Sequence, residues 1–314
     1  MKKEYRNSIV LVEVKNGKLN GDPENNNRPR EDKETGQHLV TDVCVKKLTR
    51  KAMKMLGVDN FDSYQPNEDS EKTTISTKID GYRKNNNIDD PKKDVDYLNL
   101  RNALLKDFID LRMYGGALTT KRPIQLEGTY TPSIVTKSIN KAKTVTISST
   151  SENKTNDNKD GGSMFERTVT EYAIFPIIFK YNPYNDHNVF DTDCDDILKY
   201  FVKWFDIHRS IPRLGTNFHM LIDIITKDSE DGKCGNNIHF DDLIEMNISS
   251  ILKSSTDFTY NFTKLINKLK RLRKYVDRIE MFTLETGDDN IIEQFDNLIT
   301  TLKNEGFTVT LKDF

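Results

Sequence analysis

The spacing of hydrophobic residues divides the chain into strands and helices that are separated by polar insertions. Residues 8–14 form an apolar run that predicts a strand, and residues 42–56 have the three- to four-residue spacing of an amphipathic helix. Residues 98–113 and 193–208 show the same helical spacing, and Trp204 falls on the apolar face of the later helix. Elements of both kinds therefore alternate along this part of the chain.

The last part of the chain predicts a strand, a helix and a strand in that order. Residues 275–284 and 307–311 are strand-like, and residues 288–304 carry apolar side chains at helical spacing. Gly306 suits the C-terminal cap of that helix. Together with the N-terminal strand and helix, this βαβ unit predicts an α+β fold with a ferredoxin-like, RRM-type palm and helices on one face of the sheet.

We expect the 314-residue chain to fold around a single core. Two polar insertions interrupt that core. Residues 59–96 are rich in Asp, Lys, Asn and Ser, and Gly81 and Pro91 break them further, so we expect a peripheral, partly mobile extension. Residues 138–180 hold two strand-like segments around a polar loop, which predicts a long hairpin with a mobile tip. An ordinary surface hairpin is the alternative interpretation of the second insertion.

Composition limits the kinds of site that the chain can carry. The formal net charge of -2 means that any nucleic-acid site is a local patch on a protein that is not basic as a whole. Cys44, Cys194 and Cys234 are widely spaced without a C-x-x-C, which predicts reduced thiols and no zinc site. The N-terminus lacks a signal-peptide pattern and no apolar run reaches membrane-spanning length, so we expect a cytoplasmic protein.

Residues 20–50 join a turn-rich basic loop to the first predicted helix. The sequence Asn-Gly-Asp-Pro at residues 20–23 favours a tight reversal after the strand, and Arg-Pro-Arg follows at residues 28–30. Arginine is the side chain whose planar fork matches phosphate oxygens, and Pro29 limits the freedom of the loop. Thr41 is a candidate N-cap for the helix. This arrangement suits binding to a nucleic-acid backbone.

The helix that follows the loop has one apolar face and one cationic face. Val45 and Leu48 share the apolar face, whereas Lys46, Arg50 and Lys54 repeat at intervals of four on another face. A solvated surface of an ordinary amphipathic helix explains the same pattern, because charged helix faces are common.

The whole segment resembles the N-terminal signature of the backbone subunit of type I CRISPR Cascade complexes, in the Csd/Csh branch of the RAMP superfamily. The signature has Asn-Gly-Asp-Pro, Arg-Pro-Arg, a Thr-Gly turn and Val-Thr-Asp before a basic helix. These motifs stand here at residues 20–23, 28–30, 35–36 and 40–42. Two shorter motifs of the family follow. The first is Met-Tyr-Gly-Gly-Ala together with Pro-Ile-Gln-Leu at residues 113–126, and the second is His-Arg-Ser at residues 208–210.

The resemblance implies a non-catalytic subunit that polymerises head to tail along CRISPR RNA and presents it for pairing with target DNA. Its partners would be CRISPR RNA, target DNA, neighbouring copies of itself and other Cascade subunits, with no cofactor and no membrane. The hairpin at residues 138–180 would be a thumb that lies over the guide RNA, with Met164 or Phe165 beside a displaced base. The RNA contacts expected from the motifs are Asn20, Arg28, Arg30, Thr41, Lys46, Arg50, Lys141, Lys143, His208 and Arg209.

Two other classes of function are compatible with the residues. The chain lacks the P-loop, H-E-x-x-H and G-x-S-x-G motifs, and its histidines are scattered. Asp22 and Asp42 are the only carboxylates near the expected RNA path, so a metal-dependent RNA nuclease of the same superfamily is one alternative. A scaffold protein that binds no nucleic acid is the other, and the Arg-Pro-Arg loop beside Lys46 and Arg50 counts against it.

Overall fold

The computed structural model describes residues 4–65, 73–119, 122–152, 162–183, 190, 192–208, 210, 213–227 and 238–314, without the side chains of residues 149–152 and 162–165. The helices in these ranges are α1 (Asp42–Met55), α2 (Ile75–Asn85), α3 (Asp94–Asp107), α4 (Ile109–Tyr114), α5 (Asp193–Ile207), α6 (Thr263–Arg271) and α7 (Asp289–Asn304). The strands of the N-terminal part are β1 (Glu4–Gly17), β2 (Gly21–Asp22), β3 (Arg28–Pro29), β4 (Glu31–Asp32), β5 (Gln37–Thr41), β6 (Gly115–Leu118), β7 (Ile124–Glu127), β8 (Tyr130–Pro132) and β9 (Val135–Lys141). The later strands are β10 (Thr144–Glu152), β11 (Gly162–Tyr181), β12 (Thr216–Lys227), β13 (Glu245–Ile248), β14 (Phe258–Asn261), β15 (Val276–Phe282) and β16 (Val309–Leu311). None of the described helices is long and apolar enough to cross a membrane.

A seven-stranded sheet forms the centre of the molecule, with the strand order β10-β11-β1-β12-β15-β16 and with β8 added to β11. Its pairs are antiparallel except for β15 and β16, which are parallel and are joined by α7. The predicted C-terminal βαβ unit and the α+β class are therefore confirmed. Gly306 follows the helix with a φ of +80°, which is the left-handed conformation expected of a glycine C-cap.

Helices cover both faces of the central sheet. Val10, Val12 and Val14 of β1 pack in the core with α1 and α5, whereas Ile9 and Leu11 pack in the core with α6 and α7. Successive side chains of a strand point to opposite faces, so an apolar run without alternation requires cover on both sides. The expectation of helices on one face was wrong for this reason.

A third core lies outside the sheet and fills part of the first insertion. Phe61, Ile79 and Tyr82 pack there against Leu104 of α3 and against Phe108. Phe108 has extended backbone angles, so the single helix predicted for residues 98–113 is divided into α3 and α4. The few apolar residues of the polar insertion are therefore gathered into one cluster by these helices.

The predicted hairpin is formed by β10 and β11, which pair from Thr144 with Thr170 to Glu152 with Gly162. Its tip, residues 153–161, lies outside the described residues. The C-terminal half of β11 continues into the central sheet and pairs with β1, so the hairpin extends a core strand. The first predicted strand of the hairpin is interrupted after β9, because β9 pairs with β5 of the signature region.

Candidate nucleic-acid interface

The Asn-Gly-Asp-Pro motif forms β2 and the start of a compact turn that leads to β3. The Asp22 carboxylate accepts a hydrogen bond from the Glu24 backbone N–H at 3.4 Å, and Asp22 pairs with Arg28 in the two-stranded ladder. A Cβ at Gly21 would lie 1.9 Å from Oδ1 of Asn27, so a larger residue there would displace the Asn27 side chain. The turn fixes the backbone from which the Arg-Pro-Arg side chains project.

The loop is tied to the first turn of α1 by hydrogen bonds. Asn20 Nδ2 donates to Thr41 Oγ1 at 3.2 Å, and the same hydroxyl accepts from the Cys44 backbone N–H at 3.3 Å. The Arg30 backbone N–H donates to the Asn20 carbonyl at 3.2 Å. Thr41 is therefore the N-cap that the sequence predicted, and Asn20, Arg30 and Thr41 are brought together.

All four basic side chains predicted from the loop and α1 lie in ion pairs with carboxylates. The pairs and their nitrogen to oxygen distances are Arg28 with Glu166 at 3.4 Å, Arg30 with Asp22 at 3.3 Å, Lys46 with Asp42 at 3.0 Å and Arg50 with Asp110 at 2.8 Å. A phosphate would have to compete with these partners or share the cation with them. RNA binding by these four residues stays a prediction.

The two lysines predicted at the base of the hairpin lie beside the loop. Lys141 ends β9 and Lys143 precedes β10, and both side chains are exposed. The Ala142 backbone N–H between them donates to the Gly36 carbonyl at 2.9 Å, which holds the two lysines against the Thr-Gly turn of the signature. The structure therefore brings Lys141 and Lys143 to the same region as the loop.

An open groove of about 540 Å³ separates the signature loop from the base of the hairpin. Its lining residues are Asp22, Glu24, Asn25, Arg28, Pro29, Glu31, Lys33 and Thr144. Acidic and basic groups are mixed along it, so the groove is not a uniformly cationic channel.

The Met-Tyr-Gly-Gly-Ala and Pro-Ile-Gln-Leu motifs pair with each other in the hairpin of β6 and β7. Gly115 has a φ of +67°, and a Cβ there would lie 2.3 Å from the Leu126 carbonyl oxygen. The buried Tyr114 donates its hydroxyl to Thr49 Oγ1 of α1 at 2.9 Å. The segment that carries these motifs therefore packs against α1 through Tyr114.

His208 follows α5 and is held by its neighbours in the chain. Its ring stacks on Trp204 with 4.5 Å between ring centroids, and its Nε2 is 2.6 Å from Ser210 Oγ. Burial, and then the charges of Arg213 and Lys51, lower the pKa of His208. Arg209 and the side chains of Met164 and Phe165 lie outside the described residues. Trp204 is a core residue, as predicted.

A cationic cluster that the motifs did not reveal lies beside α1. It is made by Lys47 and Lys51 of α1, by Arg213 before β12, and by Lys18 and Arg167 at its edge. The sequence contained one signal for it, because Lys47 and Lys51 are four residues apart and face the same side of the helix. Lys47 and Lys51 each lie one position after Lys46 and Arg50, the residues of the predicted cationic face.

The carboxylates that a nuclease would use are engaged in ion pairs. Asp22 pairs with Arg30, and Asp42 pairs with Lys46. One group of three acidic residues with metal-like spacing was found in the described part of the chain, made by Asp195, Asp223 and Glu280. Cations already lie within it, since Arg6 and Lys312 each contact all three carboxylates. This group is an internal ion-pair network that joins β1, β12, β15 and α5.

The chain was compared with known families and structures. The family model described as CRISPR-associated protein Cas7 matches residues 4–263. A protein of Haloferax volcanii named CRISPR-associated protein Cas7 is 24% identical over 324 residues, which covers 90% of this chain and 89% of the relative.

Two solved chains also match this fold. One, from a CRISPR RNA-guided surveillance complex, pre-nicking, has a TM-score of 0.50 at 12% identity and covers 95% of this chain and 99% of its own length. Another, from a CRISPR RNA-guided surveillance complex, has a TM-score of 0.46 at 10% identity with the same coverage. The resemblance read from the signature is confirmed, since the family model spans most of the sequence. The chain belongs to the CRISPR-associated protein Cas7 family.

Proposed function

We propose that this chain is a CRISPR RNA-binding backbone subunit of a type I Cascade surveillance complex. The observation that carries the proposal is the junction of the signature loop with α1, where Asn20, Arg30 and Thr41 are held together by hydrogen bonds. The hairpin of β10 and β11 rises from the same region, and the Arg28 to Glu166 ion pair links it to the loop. A strand of RNA that crosses the loop would therefore meet the hairpin as well.

Binding would be independent of RNA sequence. A guide carries any spacer, so the protein has to contact phosphate and sugar and leave the Watson-Crick edges available to target DNA. Arginine and lysine side chains beside a fixed backbone turn provide such contacts. The hairpin would act as the thumb over the RNA, and Met164 or Phe165 would stand beside a displaced base.

Repetition along the guide requires a head-to-tail contact between copies of the chain. A heterologous contact repeated along one strand builds an open helix, whereas a self-complementary contact closes into a dimer. The proposed partners are CRISPR RNA, neighbouring copies, other Cascade subunits and target DNA. No cofactor has a part in this mechanism.

The proposal is tested by purifying the full chain after co-expression with a CRISPR array and measuring absorbance at 260 and 280 nm. A subunit that carries RNA shows excess absorbance at the shorter wavelength, and sequencing of the extracted RNA should return repeat-spacer units. Nucleic-acid-free protein that also fails to bind synthetic single-stranded RNA would favour the scaffold alternative.

The nuclease alternative is tested separately on the assembled complex. We propose a non-catalytic subunit, because Asp22 and Asp42 each pair with a cation and Asp22 also caps the turn that follows it. Incubation with complementary RNA and a divalent metal should leave that RNA intact. Regular cleavage that is abolished by Asp22→Ala or Asp42→Ala would reject the non-catalytic assignment.

A further inference from the structure

Three basic side chains converge on one side of α1 from distant parts of the sequence. Lys47 and Lys51 are exposed one helical turn apart, and the charge of Arg213, from the segment before β12, acts on Lys51. Burial, and then the charges of Arg213 and Lys47, lower the pKa of Lys51. Burial, Arg167 and Arg213 do the same to Lys18. These positive groups are therefore close enough to repel each other.

The cluster lacks the carboxylate partners that its neighbours have. Among the residues that the structure describes, no acidic oxygen lies within ion-pairing distance of Lys47, Lys51 or Arg213. Among the main influences on Lys51, Asp62 is the carboxylate that offsets the repulsion. Like charges at positions four apart on a helix reduce its stability, so this arrangement costs folding free energy when the site is empty.

The arginine of the cluster is held on a rigid surface. Its guanidinium carbon lies 5.5 Å from the centre of the Trp204 ring, and Trp204 is only 1% exposed. The Arg213 backbone N–H donates to the Ser210 carbonyl at 2.9 Å, and its carbonyl accepts from Thr216 Oγ1 at 2.7 Å. His208 stacks on the same indole. A cation placed in this way loses little side-chain freedom when an anion binds.

The cluster also lies next to the signature loop. The charges of Arg213, Lys47, Lys51 and Arg30 act on the buried Cys44 thiol and oppose the effect of burial on its pKa. Cys44 donates to the Leu19 carbonyl at the start of the loop, with 3.4 Å between sulfur and oxygen. A strand that follows the loop would therefore reach the cluster without leaving the surface.

We infer that Lys47, Lys51 and Arg213 form the principal phosphate-binding site of this chain, and that its ligand is the phosphodiester backbone of single-stranded RNA. The inference rests on the proposed function and assigns its main electrostatic contact to residues other than Lys46 and Arg50. The cluster is available to an anion at once, whereas each of the four predicted cations must first share its carboxylate partner. Cations that neutralise phosphates release the counterions condensed on the RNA, and this release drives binding.

The test compares two double variants that remove the same charge from two different helices. Lys47→Ala/Lys51→Ala changes the cluster, and Lys268→Ala/Arg271→Ala changes α6, where neither residue is in an ion pair with another described residue. Binding of a fluorescein-labelled, mixed-sequence single-stranded RNA to the RNA-free full chain is followed by anisotropy at several salt concentrations. Two further variants, Lys46→Ala and Arg213→Ala, are measured in the same way.

The cluster variant should bind RNA about tenfold more weakly or worse, because two charge-assisted contacts are lost. Its slope of log affinity against log salt should flatten by about 1.4, which is about 0.7 for each lost phosphate contact. Arg213→Ala should also weaken binding, and Lys46→Ala should have a smaller effect. The α6 variant should keep the affinity and slope of the wild type. The melting temperature of the cluster variant should not fall, since mutual repulsion has been removed.

Each remaining outcome separates the inference from the proposed function. If the wild type binds RNA and the cluster variant binds it equally well, the inference is overturned and the proposed function still stands. Equal losses in the cluster and α6 variants would also overturn it, because binding would then follow net charge. Wild-type protein that binds no RNA would overturn the proposed function and the inference with it.

Discussion

The guanidinium of Arg28 in the signature loop lies 3.4 Å from the carboxylate of Glu166 in the hairpin strand β11. The two residues are far apart in the sequence, and their ion pair is a direct side-chain link between the loop and the hairpin. Both side chains are about half exposed, at 49% and 57%, so the pair is weak and can be exchanged. Glu166 thus occupies a place where a phosphate oxygen could bind Arg28.

Glu166→Gln should raise the affinity for RNA at low salt by about 1.4- to fivefold, which matches the ~0.2 to 1 kcal/mol of an exposed pair. The substitution removes both a competitor for Arg28 and a negative charge beside the RNA. Anisotropy titrations would measure the gain, with Glu293→Gln on the exposed face of α7 as the charge-matched control. The gain should vanish in the Arg28→Ala background. An equal gain in that background would show that Glu166 acts without Arg28.

Arg50→Ala should destabilise the protein by about 3 kcal/mol, because it leaves the carboxylate of Asp110 buried without its cation. Asp110 is fully buried and also accepts the Phe61 backbone N–H at 2.9 Å. Urea unfolding would measure the loss, and Asp110→Asn in the same chain should recover part of it. Lys46→Ala, which breaks a more exposed pair, should cost less than about 1 kcal/mol. Equal losses in the Arg50 and Lys46 variants would contradict this account.

Replacement of residues 153–161 by a short Gly/Ser turn should spare folding and shorten the RNA filament. The paired strands β10 and β11 keep their register up to Glu152 and Gly162, so the core strands are unchanged. Thermal unfolding of the isolated chain tests whether folding is spared, and electron microscopy of assembled filaments tests whether they are shortened. Full-length, regularly spaced filaments from the trimmed protein would show that the hairpin is an ordinary surface loop.

Glu13→Gln should destabilise the protein near neutral pH on the order of 3 kcal/mol. Burial alone would raise the pKa of Glu13, but His219 at 3.6 Å and hydrogen bonds from Tyr172 and Asn217 outweigh it and hold the pKa at about 2. This stabilisation is complete above the ordinary pKa of 4.5 and is lost as the pH falls towards 2.

Urea unfolding at several pH values would measure this dependence. The stability difference between wild type and Glu13→Gln should shrink as the pH falls below about 4.5. Glu293→Gln on the solvent face of α7 should show no such trend. A difference that stays constant down to pH 3 would mean that the ionised form of Glu13 has no special stabilisation.

The sequence by itself determined the elements and the family. The strand before the loop, the helix α1, its Thr41 cap and the C-terminal βαβ unit depend on local spacing and capping, which a single sequence displays. The Asn-Gly-Asp-Pro and Arg-Pro-Arg motifs are contiguous, so they could be recognised as a family signature before any fold was known. Two strand-like segments around a polar loop also predicted a hairpin where β10 and β11 pair.

Only the tertiary structure decided which charges are paired and which converge. Lys46 and Lys47 are neighbours in the sequence, yet Lys46 pairs with Asp42 whereas Lys47 and Arg213 both act on Lys51. Asp110, Glu166 and Arg213 come from distant segments, and nothing in local spacing connects them to the loop. Electrostatic interactions depend on distance in space and on burial, so the division between neutralised cations and a concentrated positive site arises only when the chain has folded.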